Sequence, residues 1–339
     1  MISNLNLVEN CRKYILSDPR NTGHDELVKL AITSAYRDLQ NLRQQPWVWN
    51  TEIYDEIFTR YYAEISAITS ANPGVITCES VDPDLSDEHG FESNDIVYIE
   101  GVNGDNSRHR LNQRLYRVLD VSDDTLSLKY LHGNDDVATD GYEDYDSGGT
   151  IYHAGIVLPY SSIEPAASTG IDASYVWKIK RVYDVEFDMD PATPVSEEAS
   201  KKMTQPGGQP RRWRYQQYAY ASFESPEHLL FWYNFPPQRY NVRVHVEKEY
   251  PNPSDWSDKA YLPCPDEVQE FVWHRALANL SMDSEKHRRK AQNQADNTKV
   301  EIINAQYWMS KMIEDEGKIF DLHRKLSGGT AYASQGMSA

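Results

Sequence analysis

The sequence predicts an α+β fold: a helical bundle with a β-sheet region, an inserted small all-β barrel or sandwich, and a long C-terminal helix. Three observations predict it. "HDELVKLAITSAYRDLQNLRQ" places Leu27, Leu30, Ala31, Ala35, Leu39 and Leu42 at helical three- and four-residue spacing. Residues 64–155 carry short alternating runs separated by turn residues, the texture of a small barrel or sandwich. Residues 284–326 carry a stripe of Ile302, Ala305, Met309, Met312, Ile313 and Phe320, again at helical spacing.

In chain order, residues 4–17 read as a short helix with Leu5, Val8 and Ile15 roughly on one side, closed by "SDPRNTG". The second helix ends at Pro46. "WVWNTEIYDEIF" then alternates Trp47, Trp49, Thr51 and Ile53, a strand with aromatic anchors on one face. Inside 64–155, "AEISAITSANPGVITCES" gives two strands about an Asn-Pro-Gly turn. "NDIVYIEGVNG" is a third strand. "RLYRVLDVSDDTLSLKYL" is a hairpin turning at Ser122, Asp123 and Asp124. "SYVWKIKRVYDVEFDMD" opens a second β region, with Val185, Phe187 and Met189 on one face and Asp184, Glu186, Asp188 and Asp190 on the other. A hairpin is expected around Pro236 and Pro237, with Val242, Val244 and Val246 sharing a face. Pro265, followed by Asp266 and Glu267, starts a helix whose apolar face is Val268, Phe271, Val272, Ala276, Leu277 and Leu280. The tail "SGGTAYASQGMSA" is too small and polar to stay ordered alone. Four segments follow: 1–63, helices and aromatic strand; 64–155, the inserted module; 156–263, the second β region; 264–339, C-terminal helices and tail.

The chain has 339 residues, with 52 acidic against 34 basic side chains and a net charge of -18. This balance argues against broad affinity for a nucleic-acid backbone, which needs clustered cations. It is compatible with DNA that passes without sticking, because like charge repels phosphate, and equally with a charge that serves solubility alone. The three cysteines, Cys11, Cys78 and Cys264, lie far apart, so neither a disulfide framework nor a structural zinc is expected. No signal peptide and no membrane span are expected.

Catalytic motifs are absent: there is no HExxH, GxSxG, GxxxxGK[ST] or GxGxxG. Four carboxylates on "DVEFDMD" offer oxygen ligands for a hard cation. Ligands two apart on a straight strand sit about 6.5–7 Å from one another and cannot wrap one ion, so a solvated edge or channel-facing stripe is the better reading. "DYDSGG" and "GNDD" are turn chemistry. "RRWRYQQY" mixes cations with rings, which suits stacking on single-stranded nucleic acid or anchoring a protein partner; the acidic balance favours the protein. "HRRKAQ" is a solvated helix face. His274 and His287 lack an i+4 partner, and His274 reads as a core histidine. Cys264 has no base nearby in sequence, so no nucleophile is assigned. No cofactor and no enzymatic activity are expected.

Two resemblances add to this reading. "ITSANPGVIT", "NDIVYIEGVNG", "LNQRLYRVLDVSDDTLSL" and "GYEDYDSGGT" together resemble, over about 85 residues, a β domain recurrent in tailed-phage proteins. That domain is similar to the first catalytic-cysteine half-domain of ubiquitin-activating enzymes. The resemblance implies a fold and not ubiquitin chemistry. The flanking chain resembles the head-to-tail adaptor proteins of tailed phages. The pieces are "LVKLAITSAYRDLQNLRQQPWVW", "VLPYSSIEPA" and "HLLFWYNFPPQRYNVRVHVEKEYPNPSDWSDKAYLPCPDEVQEFVWHRALANL", and their order carries the likeness. The Pro-Pro-Gln hairpin tip and the long C-terminal helix depart from the pattern.

The resemblance implies a virion protein of the neck, assembled in the host cytoplasm as a ring, commonly of twelve copies, beneath the portal. Its implied partners are the portal, the tail nozzle, further copies of itself, passing DNA in transient contact and, through the inserted module, a tail fibre. Asp184, Glu186, Asp188 and Asp190 are then channel-facing candidates. Phe320, Leu322, His323, Leu326 and Tyr332, with Trp47, Trp49, Arg211, Arg212 and Trp213, are candidates for the portal or partner contact. The alternatives are another tail component, such as a nozzle or fibre-docking protein, and an enzyme using "DVEFDMD".

Overall fold

The computed structural model describes residues 3–15, 25–43, 46–84, 88–104, 110–131, 135–141, 144–159, 161–164, 175–200, 208–218, 227–258, 260–290 and 297–326. Among the described residues the protein is mostly β, 39% strand against 30% helix, with a closed six-stranded barrel and five helices. The expected helical-bundle core with β accessories is therefore corrected. The reason lies in the second β region, whose strands extend the barrel's sheet through Glu227–Tyr233 and Arg212–Tyr218 and build a second sheet from Tyr175–Phe187 and Asn241–Glu249.

The chain divides into two compact units. One comprises residues 1–51, 162–178 and 249–339; the other comprises 52–161 and 179–248. The first carries helices α1 (Asn4–Ile15) and α2 (Asp25–Asn41). The chain then runs through β1 (Thr51–Phe58), β2 (Ala63–Ile68), β3 (Val75–Ser80), β4 (Asp95–Glu100), β5 (Asn103–Gly104), β6 (Arg114–Val121), β7 (Thr125–Tyr130), β8 (Tyr145–Ser147) and β9 (Thr150–Leu158). It continues with β10 (Ser161–Glu164), β11 (Tyr175–Phe187), β12 (Asp190–Pro191), β13 (Thr193–Pro194), the short α3 (Glu197–Ser200), β14 (Arg212–Tyr218), β15 (Glu227–Tyr233) and β16 (Asn241–Glu249). Helices α4 (Asp266–Lys290) and α5 (Asn297–Leu326) end the described chain.

The barrel closes in the order β9-β2-β3-β7-β6-β4, with β4 pairing back onto β9. Its interior is the alternate residues of each strand: Ile65, Ile76, Val97, Ile99, Tyr116, Val118, Leu126, Leu128 and Ile151 are all buried. Each such side chain contributes on the order of 1.5–3 kcal/mol on leaving water. β4 is buried on both faces, because Ile96 and Tyr98 point outward into a second cluster with Leu229, Phe231, Tyr233 and Phe235. The cover is β15, which pairs with β9 on one side and β14 on the other. Close approach here requires glycine: a Cβ on Gly155 would meet the Leu230 carbonyl oxygen at 2.2 Å.

Beyond this cover lies a second sheet in which β16 sits between β1 and β11. Val242, Val244 and Val246 are buried, with Val182, Val185 and Phe187 on β11. The hairpin expected about Pro236 and Pro237 is absent, because β15 and β16 belong to different sheets. Two prolines lack the N–H groups that a ladder needs. Asn234 takes a left-handed φ of 67°, and the chain crosses from one sheet to the other.

In the helical unit, α4 packs against α1, α2 and α5. Pro265 and the first-turn acids Asp266 and Glu267 precede a buried face of Val268, Phe271, Val272, Ala276 and Leu277, as read from the sequence. The α2 face is rotated from expectation: Val28, Ile32 and Tyr36 join Ala31, Ala35 and Leu39 inside, while Leu27 and Leu30 are exposed. The α5 stripe is corrected too. Its buried side runs through Trp308, Asp315 and Ile319, whereas Met309, Ile313 and Phe320 face outward. The helix expected over 284–326 is two: α4 reaches Lys290 and α5 starts at Asn297. "WVWNTEIYDEIF" is a strand only from Thr51; a 3-10 turn at Val48–Asn50 precedes it.

Candidate functional site

Two side-chain constellations hold most of the sequence-predicted residues, one in each unit. In the β unit, β11 and β16 carry a polar face. Glu247 is buried, and its carboxylate accepts hydrogen bonds from Lys180 Nζ at 3.0 Å and Arg181 Nε at 2.6 Å. Two strand positions along β16, His245 Nε2 lies 3.4 Å from Glu186 Oε1, and Arg243 Nη1 lies 3.5 Å from Glu186 Oε2. Asp184 Oδ1 accepts the Val185 N–H at 2.9 Å. Burial pushes the Asp184 carboxyl above its ordinary pKa, and the Glu186 charge adds to the rise. Cations from Lys180, Arg181 and Arg243 therefore stand among the carboxylates of Asp184, Glu186 and Glu247.

The four-carboxylate stripe expected on "DVEFDMD" is broken. Only Asp184 and Glu186 share the strand. Asp188 and Met189 take φ values of 50° and 68° and turn the chain back, so Asp190 sits on β12, paired with Phe187. The turn is fixed from outside: Asp188 Oδ1 accepts the Asn241 N–H at 2.8 Å, and Asp190 Oδ2 accepts Gln209 Nε2 at 3.3 Å. Met189 is 75% exposed and does not follow Val185 and Phe187 inward.

In the helical unit, the end of α5 meets the 3-10 turn. Trp47 and Trp49 stack at 4.8 Å between centroids. The Arg43 guanidinium lies 4.9 Å over Trp47 and 5.8 Å over Phe320. His323 Nδ1 accepts the Val48 N–H at 3.2 Å, and Trp47 Nε1 donates to the Leu39 carbonyl at 3.0 Å. Burial lowers the His323 pKa and the Arg43 charge lowers it further, so this ring is held neutral and available as an acceptor. Trp47 is buried within its own unit, whereas Trp49 and Leu322 are half-buried and Phe320 and Leu326 are exposed. Of "RRWRYQQY", Arg211 and Arg212 are exposed. Trp213 is a core residue whose Nε1 donates to the Ala192 carbonyl at 3.1 Å. Trp47 and Trp213 thus present almost no side chain to a partner. Tyr332 lies outside the described residues.

Two buried networks escaped sequence reading, and of a third only the core histidine, His274, was expected. His153 Nδ1 accepts the Arg60 N–H at 2.8 Å, which leaves the ring proton on Nε2, 3.3 Å from Asp95 Oδ1. Burial alone would raise the Asp95 carboxyl; His153, Arg60 and the Glu92 N–H outweigh it and hold the carboxyl below its ordinary range. Tyr215 Oη lies 2.6 Å from His228 Nδ1, and burial depresses His228 to about 4. In the helical unit, His274 Nδ1 pairs with the buried Asp315 and is stacked between Trp273 and Trp308, at 4.8 and 5.5 Å between centroids. These pairs join residues far apart in sequence, so no local spacing announces them. Burial raises the thiols of Cys11 and Cys78 to about 12 and that of Cys264 as well, so all three are protonated and poor nucleophiles at neutral pH.

No helix among the described residues is long and apolar enough to cross a membrane. Compared with known proteins, the chain matches no family model and no curated protein.

Proposed function

We propose that this chain is a structural subunit of a tailed-phage neck, a head-to-tail adaptor that forms a ring, docks beneath the portal and continues the DNA channel toward the tail. The order of the sequence pieces that resemble such adaptors supports the reading. The observation that carries it is the apolar face α5 leaves in water. Met309, Ile313 and Phe320 are 40%, 63% and 39% exposed. At about 100° per residue these three fall within about 40° of one another on the helix. Exposed large apolar residues clustered on one face mark a surface made to be covered, which suits a subunit of an assembly. The Asp188–Asp190 turn, exposed and acidic, is the part of the predicted stripe that remains suited to a wall along which DNA slides.

Cryo-electron microscopy of the protein mixed with its portal tests this. A ring stacked coaxially on the portal is the expected result. A monomer that ignores the portal yet joins a tail or fibre protein would overturn it in favour of a nozzle or fibre-docking role.

A further inference from the structure

We propose that Asp184, Glu186 and His245 form a site for one first-row divalent cation, with Zn²⁺ the best fit. The inference does not depend on the role in the neck. Each of the three residues offers one ligand atom, and these atoms lie within 4.8 Å of one another. Two come from alternate positions of β11 and the third from β16, its hydrogen-bonded neighbour. That third ligand is what the straight-strand argument lacked. Two carboxylates on one strand cannot wrap an ion, but an imidazole from the strand about 4.8 Å away supplies the missing corner.

The spacing of His245 and Glu186 suits a small tetrahedral ion. Ligands about 2.0–2.1 Å from zinc stand about 3.3–3.4 Å from each other, and His245 Nε2 lies 3.4 Å from Glu186 Oε1. An independent observation points the same way. His245 Nε2 is fully buried as an atom and makes no hydrogen bond, although it faces a carboxylate. A buried ring nitrogen in that position lacks a well-aligned hydrogen-bond partner, which is costly. A metal ion takes the lone pair and is held by the carboxylates at the same time.

The neighbouring cations have bonds of their own. Lys180 and Arg181 bond Glu247, and Arg243 approaches the other oxygen of Glu186. One nitrogen and two oxygen donors match zinc better than calcium, which takes six to eight oxygens. Three protein ligands leave a fourth position for water. His245 and Glu186 keep 15% and 21% of their side chains exposed, enough for an ion to enter from solvent.

The test uses the full chain without a histidine tag, stripped with chelator and titrated with ZnCl₂ by calorimetry. In parallel, Co²⁺ is added and its visible absorption read as a report of tetrahedral geometry. The expected result is one ion per chain, with Zn²⁺ affinity falling at least about tenfold in both Glu186→Gln and His245→Ala and unchanged in Asp190→Asn. Far-UV circular dichroism of the metal-free variants checks folding. If His245→Ala does not fold, the near-isosteric Glu186→Gln decides. Absence of binding, or binding of equal strength and stoichiometry in Glu186→Gln, overturns the site and moves any metal to other histidines or cysteines.

Discussion

The barrel and the helical unit spend their apolar residues differently. Among the described residues, the barrel strands leave one large apolar side chain substantially exposed, Tyr130 at 36%. The helical unit leaves eight: Tyr14, Leu27, Leu30, Tyr307, Met309, Ile313, Phe320 and Leu326. The barrel fills its interior with alternate residues and hands the outward faces of β4 and β9 to β15. The helices instead place a charged residue, Asp315, in the middle of a packed face and an isoleucine, Ile313, in water. A region that has satisfied its own apolar surface is finished alone; a region that has not is built for something else to cover it.

The largest test of this contrast is Trp232→Ala. Trp232 is fully buried, donates Nε1 to the His153 carbonyl at 2.8 Å and meets Phe187 and His153 edge-on. A loss of about 4 kcal/mol is expected by urea denaturation, and an unchanged midpoint would show that the β cover is dispensable. Next is Asp315→Ala. Removing the partner of His274 and of Lys318 Nζ, 3.1 Å away, costs about 3 kcal/mol. A loss under about 1 kcal/mol would mean that the aromatic stack of Trp273, His274 and Trp308 holds the helices without the charge.

Acid acts on both units. His228 is held near 4 in the folded chain against an ordinary 6.5. The unfolded chain thus binds the proton more readily, and the stability His228 contributes is complete above about 6.5 and drains as pH falls toward 4. Between pH 7 and 5.5 the loss is about 1 kcal/mol. His323, also lowered, has the same sign in the helical unit. Asp95 runs at lower pH: its stabilisation is present above the ordinary carboxyl pKa and is lost only as pH falls through its depressed value. Denaturation midpoints of His228→Asn between pH 5 and 7 check the assignment; a slope equal to that of the unaltered protein would remove it.

Gly317→Ala comes next. A Cβ there meets nothing within 4 Å, so the substitution gains about 0.5–1 kcal/mol of helix propensity. A gain accompanied by loss of assembly would place Gly317 under a close partner. Ile313→Asp is the smallest in stability, under about 0.5 kcal/mol for an exposed position. It should nevertheless abolish ring formation, read by light scattering; rings of normal size would release the α5 face from its proposed role.

What the sequence made legible was whatever had a period. The hairpin at Ser122–Asp124 follows from alternation and turn chemistry, and β6 and β7 pair there. Val242, Val244 and Val246 share a face because a strand has no choice. The α5 face was misread because its buried side includes Asp315, whose partner His274 is 41 residues away, so the apolar stripe that remained visible was the exposed one. The Asp188–Met189 turn hid inside an alternating run, since nothing in "DVEFDMD" declares where alternation stops. His245 beside Glu186 was invisible for a simpler reason: neighbouring strands need not be neighbouring sequence.

β9 is also a mechanical part. Its first residues pair with β2 and β4, and its last pair with β4 and β15. The barrel and its cover thus share one rail. A tug along β15 reaches the barrel as shear, loading a row of parallel-acting hydrogen bonds together, where a hinged attachment would peel them singly. In the proposed neck, such a joint would resist sudden load without any thickening of the chain.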